Sequence, residues 1–162
     1  MRQFLAFIMV FICLISLVGC KSSEDTEDNS VIFYYRRAEY TYNSDENVVM
    51  AEKRELNNDR YELSYLLSLY MLGPTDERLI SPFPSQTTLQ EIVYEENAIA
   101  VTLSDFDSAI SDSHFTIAAA CLAMTIFELT EYETVTVNSG QHSITLDKTN
   151  TLFHDGISPS GQ

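Results

Sequence analysis

The first thirty residues divide into an apolar run and an acidic tract that meet at Cys20, and this division decides which part of the chain can form a folded domain. Residues 4–18, FLAFIMVFICLISLV, are apolar except for Ser16, and Arg2 precedes them. A helix that spans a bilayer needs about 20 apolar residues, so a shorter run before small residues is typical of a cleaved secretory signal. The folded domain must therefore come from the residues that follow.

The sequence Leu17-Val18-Gly19-Cys20 resembles a bacterial lipobox. The resemblance implies that residues 1–19 are a lipoprotein signal peptide and that Cys20 carries fatty acyl chains such as palmitate. Each methylene buried in the bilayer contributes about 0.8 kcal/mol, so two or three chains would hold the protein on the extracytoplasmic face of the cell membrane. The alternatives are an ordinary signal peptide with an incidental cysteine, or an uncleaved anchor.

Residues 21–30, KSSEDTEDNS, contain four acids, one base and no apolar side chain. Such a segment cannot bury enough surface to fold, so residues 20–30 are predicted to form a flexible acidic tether. At about 3.3–3.6 Å per residue, the tether reaches at most about 35 Å from the membrane. We therefore expect a partner that is itself a membrane or envelope component.

The charge and the cysteines exclude several classes of function. The net charge of −15 repels phosphate backbones, which argues against binding of nucleic acid. Of the three cysteines, Cys13 leaves with the signal and Cys20 is acylated, so no internal disulfide is expected. Cys121 lies in AAACLAM without a neighbouring cation that would activate its thiol, and we interpret it as a core residue rather than a nucleophile.

The pattern of residues 31–147 predicts one α+β domain. Strands are expected at 31–35 and 48–56, then a helix capped by Asp59 that stops at Gly73-Pro74, and a loop over residues 75–86. A hairpin follows over residues 87–104 with its turn at Glu96-Asn97, then a helix at 113–129 and a strand at 134–137, with residues 143–147 as an optional short edge strand. The order β-β-α-β-β-α-β predicts a single sheet of about four to five strands with two helices packed on it, and a loosely ordered tail at 148–162.

Several stretches together are similar to the GerMN domain, which is named for a sporulation and spore-germination family. VVMAEKREL resembles the second strand of the family, LLSLYMLGP resembles its helix closed by Gly-Pro, and SPFPSQTTL resembles the approach to the next strand. The hairpin arm ending at residues 101–104 and the helix segment 125–128 follow in the same order. The chain departs from the family pattern at Gln86 and Asn97, which replace glycines, and at Thr102, which replaces an aspartate.

The resemblance implies a non-enzymatic module that binds an envelope protein partner, in sporulation, germination or cell-envelope assembly. The alternative is a lipoprotein that binds a small ligand or a cell-wall fragment. A deep pocket with convergent polar groups would favour the ligand, whereas an exposed docking surface would favour the protein partner. An enzyme is the least favoured class, because no nucleophile, base and orienting group can be assembled from the sequence.

Four sets of polar residues have both a functional and a structural interpretation. Alternate acids in DFDSAISD (Asp105, Asp107, Asp112) suggest calcium, but the loop has Thr116 where a calcium loop has glutamate, so we favour acids at a helix start. The three histidines lack partners at zinc-ligand spacing, so neither a metal nor a cofactor is expected; they are His114, His142 and His154.

The other two sets lie on predicted regular elements. The run Glu52-Lys53-Arg54-Glu55 is interpreted as a solvated sheet edge. Ser64 and Ser68 lie four apart on a helix, where they either line a pocket or, as we favour, mark the face toward water.

Overall fold

The computed structural model describes residues 29–39, 47–57, 61–106 and 111–149. The predicted signal peptide, Cys20 and nearly all of the predicted tether lie outside these ranges, as do Asp107, His154 and the residues beyond Thr149. Everything that follows about the fold concerns the described part of the chain.

The first sheet has three strands in the order β2-β1-β3, and both pairs are antiparallel. Strand β1 is Ser30–Arg37, β2 is Val49–Glu55, and β3 is the short Leu79–Ile80. The alternation predicted for VIFYY is present, since Phe33 and Tyr35 are fully buried on the inner face of β1. Strand β3 falls in a stretch that the sequence predicted to be a loop.

Helix α1 is Leu63–Met71 and ends where glycine and proline predicted a stop. Gly73 has φ +92°, a backbone conformation that residues with a Cβ adopt only at a cost. The start of the helix differs from the prediction, because the N-cap residue is Glu62, whose side chain makes no capping hydrogen bond. Asp59 lies outside the described residues.

The second sheet has four strands in the order β4-β5-β6-β7. The hairpin predicted around Glu96 and Asn97 forms between β4 (Leu89–Tyr94) and β5 (Ala98–Leu103). Strand β6 is Thr134–Ser139 and lies parallel to β5, and β7 is His142–Asp147 and lies antiparallel to β6. Parallel neighbours need a crossover connection, which helix α2 provides.

Helix α2, Asp112–Leu129, packs against β1 of the first sheet and against β6 and β7 of the second. Its first turn is capped by Ser111, whose hydroxyl accepts the His114 N–H. A helix that is apolar on most sides is one that is covered on most sides, which accounts for its alanine-rich sequence. One continuous core joins α2 to both sheets.

The predicted α+β class with two helices is confirmed, whereas the predicted single sheet of about four to five strands matches the described residues only roughly. The domain has two sheets, of three and four strands. The difference arises because α2 packs against strands of both sheets. The sequence pattern shows that α2 is apolar on most sides, but it does not show whether one sheet or two cover it.

Candidate functional site

Among the described positions, the predicted site residues that lie close together are Asp112 and His142, whose Oδ1 and Nδ1 atoms are 3.7 Å apart. His114 is exposed, whereas His142 stacks on Phe115 with ring centroids 5.0 Å apart. Asp112 lies in the first turn of α2, as interpreted for a helix-start acid. In the parts of the chain that the structure describes, no group of three or more His, Cys, Asp and Glu side chains is placed to hold a metal ion.

Cys121 and the paired serines lie where the sequence placed them. Cys121 is fully buried in α2, which confirms the core interpretation. Ser64 and Ser68 are exposed, and the Ser68 hydroxyl donates to the Ser64 carbonyl at 2.8 Å. Both serines therefore belong to the water-facing side of α1, as predicted.

The interpretation of residues 52–55 as a solvated edge is wrong for Glu52 and Arg54. Glu52 is only 7% exposed, and Arg54 donates to its carboxylate from Nε at 3.1 Å and from Nη2 at 2.5 Å. The carboxylate also accepts the N–H groups of Thr75 at 2.9 Å and Asp76 at 3.2 Å. The pair thus ties the edge strand β2 to the connection that follows α1.

The environment of Glu52 holds it in the charged form. Burial raises the pKa of its carboxyl group, but the hydrogen bonds from Arg54, Asp76 and Thr75, together with the Arg54 charge, outweigh burial and lower the pKa below 4.5. The Arg54 guanidinium also lies 4.9 Å from the ring centre of Phe33 and donates to the Gly73 carbonyl at 3.1 Å. Every one of these partners belongs to the fold, so we assign the pair a structural role.

The edge of β1 that faces away from β2 is paired over only part of its length. The Leu56 N–H donates to the Asn29 carbonyl at 2.8 Å, and the Arg37 N–H donates to the Val48 carbonyl at 2.8 Å. In an antiparallel pair, residues that bond the neighbouring strand alternate with residues that point away from it. The backbone groups of the even-numbered residues of β1 therefore point to the opposite edge.

This opposite edge is closed over the second half of β1 only. Beyond Tyr35 it is covered by β3, which pairs with Arg36 and Arg37. At Tyr34 two side chains replace a strand: the Tyr34 N–H donates to Thr125 Oγ1 at 2.9 Å, and the Tyr70 hydroxyl donates to the Tyr34 carbonyl at 3.0 Å. Burial raises the pKa of Tyr70 well above 10, which keeps its hydroxyl protonated as a donor.

The first half of the edge, at Ser30 and Ile32, opens into a groove. No strand pairs with it among the described residues. The groove encloses a cavity of about 500 Å³ between the start of β1, the approach to α1 and the end of α2. A second cavity of about 250 Å³ continues past Glu128 toward Lys148. Apolar side chains line part of the groove: Leu56 directly after β2, Tyr61 before α1, Leu66 in α1 and Leu129 at the end of α2.

The rim of the groove is mainly acidic. Glu128 and Glu131 line the cavities and are exposed. Exposed Glu55 lies opposite Ser30 in the β1–β2 ladder, and exposed Glu62 follows Tyr61 of the lining. The cations at the groove are Lys53 and Lys148, and the Lys148 ammonium donates to the Phe127 carbonyl at the end of α2, at 3.4 Å.

Sequence reasoning missed this groove, because it is made by backbone direction and by residues distant in sequence. It also missed the pairing of Glu52 with Arg54, for which a signal existed. Alternation along β2 places Met50, Glu52 and Arg54 on one face, opposite the buried Tyr35 and Phe33. The period of two therefore indicated an inward pair with Lys53 and Glu55 pointing outward.

No helix within the described ranges is both long enough and apolar enough to cross a membrane. Comparison of the chain with models of protein families, with curated proteins and with solved structures gave no significant match.

Proposed function

We propose that the chain is a membrane-anchored extracytoplasmic lipoprotein whose folded part is a non-enzymatic, GerMN-like module that binds an envelope protein. The observation that carries the proposal is the groove beside the open half of β1. It combines unpaired strand backbone, apolar walls and an acidic rim, which suit a protein segment as occupant. The lipobox-like sequence that ends at Cys20 supports the anchor, and the resemblance of several stretches to the GerMN domain supports the module.

The position of the groove fits an anchored protein. Asn29, which lines the groove, is nine residues from Cys20 along the chain. Nine extended residues span at most about 32 Å, so the groove would lie near the membrane surface. A partner reaching the groove would be a membrane protein or a protein held close to the wall.

The proposal can be tested by photo-cross-linking in the native membrane. A photoreactive residue replaces exposed Glu128, which lines both cavities, and the matched control carries it at exposed Thr145 on β7. A protein captured from the Glu128 position and not from the Thr145 position, which then binds the purified full chain, is the expected result. Equal capture from both positions would contradict a specific partner site.

A small ligand or wall fragment is the second candidate function. The cavity of about 500 Å³ is within the size range of small-molecule sites, about 300–1,000 Å³. Calorimetric titration of the full chain with peptidoglycan fragments separates the two functions, since a saturable heat signal would favour the ligand. Hydrolysis of such a fragment, lost on substitution of a histidine or acid, would contradict the non-enzymatic proposal.

A further inference from the structure

We infer that the open half of β1 accepts one extended segment of the partner protein, paired as an additional strand and bearing apolar side chains flanked by lysine or arginine. This inference rests on the proposed function and names the surface and the chemistry of the partner. It is carried by the backbone of Ser30 and Ile32, by the cavity beside them and by the charge of the rim.

The backbone supplies the pairing. Because the odd-numbered residues of β1 bond β2, alternation places the N–H groups and carbonyls of Ser30 and Ile32 on the open edge, in the spacing that an extended chain matches. Recognition by strand addition uses such main-chain groups for affinity and the neighbouring pocket for selectivity. The side-chain bonds at Tyr34 set the limit of the added strand, because they already occupy the next pair of backbone groups.

The open residues of the edge carry no lysine, proline or bulge. Natural sheets protect exposed edges with lysine, proline or a bulge. Residues 30–32 are Ser-Val-Ile, and their ladder with β2 runs without a register shift. The third strand of this sheet covers the same edge at Arg36 and Arg37, so the edge is already competent to pair.

Charge decides the class of segment. Two exposed carboxylates, Glu128 and Glu131, line the cavities together with the ammonium groups of Lys53 and Lys148. Two more exposed carboxylates belong to neighbours of lining residues: Glu55, which pairs with Ser30, and Glu62, which follows Tyr61. The net charge of the chain, −15, also attracts a basic segment over longer distances. A basic segment is therefore attracted, and an acidic one is repelled.

The test uses the full chain in detergent micelles and two synthetic heptapeptides that carry a fluorophore. One peptide is Lys-Val-Lys-Val-Lys-Val-Lys and the other has glutamate in place of every lysine. Fluorescence anisotropy is expected to show saturable binding of the lysine peptide, weakened by added salt, and at least tenfold weaker binding of the glutamate peptide. Equal binding of the two peptides would overturn the inference.

Two further arms test the backbone pairing. Ile32→Pro removes an N–H that points away from β2, whereas Ile32→Ala shortens the side chain and keeps the N–H. The proline variant should bind the lysine peptide at least about tenfold more weakly, and the alanine variant within about threefold of the unsubstituted chain. A second test N-methylates the central valine of the lysine peptide and measures its binding to the unsubstituted chain, so that folding of a variant is not involved. This peptide should also bind at least about tenfold more weakly than the unmethylated one. Unchanged binding in both arms would overturn the inference.

Other occupants give different results. If the tail of this chain occupied the groove, deletion of residues 150–162 would accelerate hydrogen exchange at the Ile32 amide. If a second copy occupied it, sedimentation would show a dimer that Ile32→Pro dissociates. Either result overturns the partner segment. A partner captured through Glu128 equally well from the Ile32→Pro chain would overturn the strand addition and leave the proposed function standing.

Discussion

Removal of the Arg54 guanidinium is the sharpest test of how the first sheet is held together. In Arg54→Met the stem of the side chain remains, but Glu52 loses its only described ion-pair partner while staying 7% exposed. Breaking a buried ion pair by removing one partner costs about 3–5 kcal/mol. Because the N–H groups of Thr75 and Asp76 continue to bond the carboxylate, we expect the lower end of this range, about 3 kcal/mol.

The assay is urea unfolding of the chain from Lys21 onward, with Lys53→Met as the matched control. Lys53 is the exposed neighbour on the same strand, and surface substitutions usually change stability by less than about 0.5 kcal/mol. Total stabilities of domains are about 5–15 kcal/mol, so the loss in Arg54→Met should move the urea midpoint clearly.

The double variant Glu52→Gln/Arg54→Met removes both charges. Residues in direct contact are expected to show an interaction energy of about 0.5–3 kcal/mol, so the double variant should be more stable than the sum of the single losses predicts. A loss below about 1 kcal/mol in Arg54→Met, or strict additivity of the two substitutions, would refute the structural role of the pair.

Three other outcomes follow. The folded-state pKa of Glu52 lies below 4.5. The ionised carboxylate therefore stabilises the folded state fully above pH 4.5, and this stabilisation is lost as the pH falls through the lower folded-state pKa. Glu52→Gln should flatten the pH dependence of the urea midpoint below pH 4.5. The Cys121 thiol should react slowly with a thiol reagent in the native chain and quickly in denaturant, and rapid native labelling would contradict its burial. Cys20→Ala should accumulate as uncleaved precursor or appear in the medium, whereas mass spectrometry showing an unmodified amino terminus at another residue would exclude lipidation.

Local signals predicted most of the elements of the fold. Alternation marked β1, the asparagine turn marked the hairpin of β4 and β5, and Gly73 with positive φ ended α1 as expected. These features depend on neighbours in sequence. Strand β3 was missed because two residues are too few to show a period, and its pairing with Arg36 and Arg37 is decided by the fold.

The candidate site was less predictable, because its parts come from separate elements. The open edge of β1 depends on where β2 pairs and on which residues of α1 and α2 reach Tyr34, and no spacing in the sequence encodes these distances. The inward pair of Glu52 and Arg54 was encoded by the period of two. The alternating charges of residues 52–55 suggested instead that all four side chains face solvent. In the structure, hydrogen bonds from the N–H groups of Thr75 and Asp76 compensate the cost of burying the Glu52 carboxylate.

The limits of the open edge follow from how α2 is packed. Thr125 is fully buried; its hydroxyl donates to the Cys121 carbonyl at 2.9 Å and accepts the Tyr34 N–H at the same distance. A hydroxyl at this position of an apolar helix therefore closes the edge of β1 where α2 lies closest to it. Toward the end of α2, exposed Glu128 follows, and the groove begins there. The same helix thus seals one half of the strand and leaves the half nearest the predicted tether available for pairing.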